Sequence, residues 1–119
     1  MRVIELEKLR RFGSAKMKKN NIFETGRFFL DLYCLEPGQA QAPHTHDGSD
    51  KVYVVLEGEG AFEIDGAVAE LKAGQAILAR SGEVHGVLNK GPERLVCLVF
   101  MAPHPKPPAP PDLEQDGAA

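Results

Sequence analysis

The stretch from Gly38 to Gly60, GQAQAPHTHDGSDKVYVVLEGEG, decides how this chain is read. It leaves the turn pair Pro37-Gly38, passes His44 and His46, and enters the apolar run Lys51 to Glu57 before Gly58. A turn followed by a short run rich in Val and Tyr and closed by Gly is a strand signal. Side chains alternate along a strand, so a His-x-His pair turns both imidazoles to one face. A second Gly-bounded stretch, GQAILARSGEVHGVLN from Gly74 to Asn89, adds His85. Three imidazoles from neighbouring strands would bind one divalent transition metal (Fe, Zn, Mn, Ni or Cu). They would leave positions open for water or substrate.

Working outward, the same signals recur. Arg27 to Leu35, Ala61 to Ile64, Ala67 to Leu71, Gln75 to Ala79, Val84 to Leu88 and Arg94 to Met101 read as strands. Asp65-Gly66 separates two of them as a two-residue hairpin turn. Short strands with Gly at the corners predict an all-β, small antiparallel barrel or sandwich. Val3 to Leu6 reads as a short strand, an arm onto a partner, and 9–21 as a basic loop. After Met101 come six prolines in ten residues, so 103–119 is expected to be extended or disordered. The expected division is an arm and basic loop over 1–26, a barrel over 27–102 and a tail over 103–119. His104 falls in that tail and is left out of the site.

The two histidine-bearing stretches resemble the two motifs of the cupin superfamily. Gly38, His44, His46 and Gly58 match the first by spacing, and Gly74, Gly82, His85 and Asn89 match the second. The resemblance implies a double-stranded β-helix, or jelly roll, with a metal inside the barrel. It also implies pairing into a homodimer. Two positions depart from the pattern. Lys51 stands where the family carries its metal-binding Glu, and a protonated lysine has no lone pair to give. Asp50 is the substitute carboxylate if a loop over Asp47-Gly48-Ser49 turns it inward, although strand alternation points it away. Arg80 replaces a Pro near the expected barrel mouth, either to meet an anionic ligand or as a solvated loop residue.

Alternation along Lys51 to Glu57 puts Lys51, Tyr53 and Val55 on one face, which the resemblance turns into the barrel. Lys51 is then a base, a neutral ligand, an anchor for a substrate carboxylate, or half of a salt bridge with Asp50 or Asp47. Tyr53 is a wall residue whose hydroxyl could give a proton. Asn89 reads as a turn residue. Two function classes follow. One is a metal-dependent enzyme, dioxygenase-like, on a small chelating organic acid, with Lys51 and Tyr53 as catalytic candidates. The other is a non-catalytic barrel that binds a sugar or effector. A metal-dependent isomerase is a further option.

Composition supports one small globular domain: 119 residues, 43% hydrophobic and 26% charged. A net charge of −3 gives no case for nucleic acid. Residues 1–27 nevertheless hold eight Lys/Arg against three Asp/Glu, including Lys16, Lys18 and Lys19, a solvated face or an anion site. No apolar run has membrane-spanning length and no signal-like segment opens the chain, so a cytoplasmic location is expected. Cys34 and Cys97 sit in apolar runs and are expected to be buried free thiols.

Overall fold

The computed structural model describes residues 1–106. Among them a single 3-10 turn, Leu6–Leu9, precedes nine strands. These are β1 (Lys18–Glu24), β2 (Phe29–Leu35), β3 (Ala40–His44), β4 (Asp50–Glu57) and β5 (Glu59–Ile64), then β6 (Ala67–Lys72), β7 (Ala76–Ala79), β8 (His85–Leu88) and β9 (Leu95–Ala102). Sheet A has the order β1-β2-β9-β4-β7 and sheet B the order β3-β8-β5-β6, with all pairings antiparallel. This is the all-β jelly-roll barrel that the strand spacing implied. No helix among the described residues is long and apolar enough to cross a membrane.

The inner faces of the sheets meet in one apolar cluster that includes Tyr33, Leu35, Tyr53, Val55, Phe62 and Leu95. Each large side chain buried there contributes roughly 1.5–3 kcal/mol. A second cluster forms on the outer face of sheet A around Ile22, Leu32, Cys34 and Val96. Ile4, Leu9 and Phe12 of the N-terminal segment cover it. Val3 to Leu6 is therefore not a strand. The segment folds back so that its apolar residues reach the outer face of its own sheet.

Two strands lie where the sequence pattern was weak. β1, KKNNIFE, has no apolar alternation because it is an edge strand with a register shift between Asn21 and Phe23. It joins sheet A from within 1–26, so the barrel begins before residue 27. β3 contains Pro43, and its pairing with β8 shifts between Gln41 and His44. Proline lacks a ladder donor and is tolerated at such a bulge. Gly86 on β8 makes the bulge possible: a Cβ there would lie 2.8 Å from the Gln41 carbonyl oxygen.

Asp65 and Gly66 both have positive φ, 47° and 84°, the pattern of a type I′ hairpin turn. Cys34 and Cys97 are buried and free. Tyr33, not Cys34, pairs with Cys97 in the ladder, so the two thiols point to opposite faces of sheet A. Of the tail expected over 103–119, residues 107–119 lie outside the described residues. Pro103 and His104 are held: the Ser49 hydroxyl donates to the Pro103 carbonyl at 2.7 Å, and the His104 amide to that of Arg27 at 2.9 Å.

Candidate metal centre

β3 and β8 pair so that His44 sits directly opposite His85, while His46 follows in the loop after β3. Two features fix that loop. The Gly82 amide donates to the His46 carbonyl at 3.0 Å, and the Gly48 amide to the Ser81 hydroxyl at 2.6 Å. The three imidazoles converge, with potential ligand nitrogens all within 4.8 Å of one another. Ring centroids are 4.4 Å apart for His44 and His85, and 5.0 Å for His44 and His46.

The nitrogens are prepared for a metal. Nδ1 of His44 lies 2.9 Å from the Ala42 carbonyl, and Nδ1 of His85 lies 3.0 Å from that of Glu83. A carbonyl only accepts, so each Nδ1 carries the proton and each Nε2 presents a lone pair. Nε2 of His85 is buried with no hydrogen-bond partner. Such an orphan is costly unless a ligand occupies it. Burial, joined by the Lys51 charge, holds all three imidazoles below their ordinary range, His85 down to about 4. Neutral imidazoles bind metal without first losing a proton. The residues therefore fit a divalent transition metal.

Asp50 has another job. It is exposed, and its carboxylate accepts from the Ser81 amide at 2.9 Å, stitching the 80–83 loop to β4. Strand alternation prevailed, because β4 starts at Asp50 itself. Arg80 is exposed, and only its backbone is engaged, with Glu83. Asn89 is a lock at the other end of the barrel: its amide donates to the carbonyls of Leu35 and Glu93.

Lys51 is only 2% exposed and makes no ion pair among the described residues. Its ammonium lies 5.3 and 5.1 Å from the ring centroids of Tyr33 and Tyr53. Its hydrogen-bond contact is Gln41 Oε1 at 3.4 Å, which also accepts from the Tyr53 hydroxyl at 2.8 Å. Burial, then the Lys19 charge, lowers the Lys51 amine to about 7, with Asp31 opposing. Burial raises Tyr53 well above the usual phenol range, so it stays protonated.

Three residues of this inner face carried no signal in the motifs. Gln41 also donates to the Tyr33 hydroxyl at 3.3 Å and so ties three strands together. Asp31 shares the inward face of β2 with Tyr33, and its carboxylate accepts from Asn21 at 2.9 Å. Lys19 pairs with Tyr33 across β1 and β2. The period-2 pattern of β2 pointed to Asp31. Gln41 and Lys19 lie on the two strands that the pattern did not reveal.

The family model for the cupin domain matches residues 31–101. The chain belongs to the cupin family. This cupin is 39% identical over 75 residues to an oxalate-binding protein of Thermotoga maritima. That match covers 63% of this chain, and the chain spans 61% of the length of that relative. A crystal structure from Thermus thermophilus superposes with a TM-score of 0.85 at 43% identity, covering 88% of this cupin and 100% of that chain. A double-stranded β-helix protein from Klebsiella pneumoniae gives 0.82 at 28% identity, over 90% and 88%.

Proposed function

We propose that this cupin holds one divalent transition metal on His44, His46 and His85 and binds a small organic acid beside it. The observation that carries the reading is the charge balance inside the mouth. Among the described residues no carboxylate joins the three neutral imidazoles, and the family's acidic position is a buried lysine. A bound metal would supply two positive charges and open positions for oxygen donors. With the Lys51 ammonium nearby, positive charge in the mouth would outweigh the single carboxylate of Asp31, and an acid offsets the excess. The likeness to an oxalate-binding protein supports the same ligand class.

The chain's own residues divide the work. His44 and His85 are oriented by the Ala42 and Glu83 carbonyls, and His46 by the interlocked loops. Gln41 steers the Lys51 amine, and the Tyr33 and Tyr53 rings shield it from water. Lys51 holds the acid as an ammonium, or takes a proton when neutral. We infer a dioxygenase-like reaction on that acid, since three histidine ligands would leave adjacent positions for the acid and O₂. Oxygen uptake by iron-loaded protein in the presence of the acid tests it.

Calorimetry with oxalate, on metal-free and manganese-loaded protein, tests the binding reading. Oxalate is expected to bind only the loaded form, and about tenfold more weakly to Lys51→Met. Equal binding to both forms overturns the metal's part. Unchanged binding to Lys51→Met overturns the lysine's part.

A further inference from the structure

We propose that the acid is two-headed: one acid group lies at the histidine and Lys51 end of the barrel, the other in a seam groove against Lys19. This rests on the organic-acid reading above. β1 is the outer strand of sheet A and β3 that of sheet B. Between them lies a groove of about 510 Å³, with Lys16, Lys18 and Lys19 from the β1 side and Ala40, Gln41 and Ala42 from β3. That volume falls in the range of small-molecule sites, roughly 300–1,000 Å³. A two-carbon acid would leave most of it to water.

The groove shares residues with the site. Gln41 lines it and also accepts from Lys51, and Ala42 lines it and also orients His44. Lys19 reaches inward: its ammonium lies 5.7 Å from the Tyr33 ring centroid, against 5.3 Å for Lys51 on the same ring. Two cations thus converge on one aromatic side chain.

Charge pairing points the same way. Glu5, Glu7, Glu36, Glu57 and Glu70 all pair with cations elsewhere on the surface. Among the described residues none of Lys16, Lys18, Lys19 or Lys51 makes an ion pair. No acid among the described residues lines the groove. Asp31 faces the same interior and its charge acts on both Lys19 and Lys51, but among the described residues it makes no ion pair with either, and its carboxylate accepts from Asn21. The groove therefore lacks an anion that the second head would provide.

The test compares 2-oxoglutarate with 2-oxopentanoate, which share a head and differ in the distal carboxylate. Each is titrated by calorimetry into manganese-loaded protein. We expect 2-oxoglutarate to bind about tenfold more tightly, an advantage that shrinks as salt is raised. In Lys19→Gln the advantage should fall toward unity while 2-oxopentanoate still binds, which also shows that the variant is folded. Equal binding of the two acids to the unaltered protein overturns the groove assignment and leaves the organic-acid reading standing. So does an advantage that survives in a variant with Lys16, Lys18 and Lys19 all replaced by Gln. Binding of neither acid overturns both.

Discussion

The two ends of this barrel interior are built on opposite principles. At one end Leu35, Val55, Leu71 and Leu95 are packed with little or no exposure, and Asn89 locks the neighbouring turn with every amide atom engaged. At the other end the same strands deliver Lys51, Tyr33, Tyr53 and Asp31, facing the three histidines. Two strands contribute to both: β2 gives Leu35 to the floor and Tyr33 to the mouth, and β4 gives Val55 and Lys51. The floor follows ordinary packing. Among the described residues, the mouth keeps a buried amine that makes no ion pair and a buried nitrogen without a hydrogen-bond partner, both of which oppose folding. Such features persist where a ligand completes them.

The sharpest way to break this contrast is His85→Ala. The protein should stay folded by circular dichroism, yet metal per chain, by elemental analysis, should drop from near one to below about a tenth. Full occupancy in the variant would remove the mouth's claim to be a metal centre. Leu95→Ala probes the other end. It should cost about 2–5 kcal/mol in urea unfolding and leave metal content unchanged, since it empties packing volume away from the histidines. A metal loss as large as that of His85→Ala would mean that the two ends are not separable.

Lys51→Met tests the charge held in the mouth. The amine sits at about 7 when folded, against an ordinary 10.5. Below about pH 7 folded and unfolded chains are both protonated, and the folded one bears the full burial cost. Between the two values the unfolded chain keeps a proton that the folded chain has shed, so stability rises with pH. Metal-free Lys51→Met should therefore be more stable at pH 6 by on the order of 2 kcal/mol, with the gain fading toward pH 10. A gain that did not depend on pH would indicate better packing rather than a removed charge. Smallest is Lys51→Glu, which restores an anion at the family position and should tighten manganese binding about tenfold in a competition titration. Unchanged or weaker binding would mean that position 51 does not reach the metal.

Much of this arrangement was legible in the residues. The barrel followed from alternation, Gly corners and the Asp65-Gly66 turn. The convergence of His44, His46 and His85 followed from two spacing patterns, and the common face of Lys51, Tyr53 and Val55 from the period of a strand, its inward direction being implied by the cupin resemblance. What was hidden lay on the edges. β1 is charged and polar because one of its sides faces solvent, and β3 is interrupted by Pro43, so neither announced itself. Gln41 was hidden with them, and Lys19 stood out only as part of a basic cluster, a solvated face or an anion site, with no sign that it turns inward. The fate of Val3 to Leu6 depended on the outer face of sheet A needing a cover, a tertiary demand that local pattern does not express. Asp50 was undecided because a loop or a strand could have begun there.

The bulge in β3 explains why the first motif tolerates no slip. In a regular strand, residues three apart stand on opposite sides, yet Gln41 and His44 both look inward. The displaced register between them changes the parity of the strand, so that odd positions serve the lysine before it and even positions the metal after it. Regular pleating at the present length would swap those assignments and turn the His44 imidazole out of the barrel without altering any side chain. The bulge therefore acts as a phase setting, and the chemistry of the mouth depends on backbone register as much as on composition.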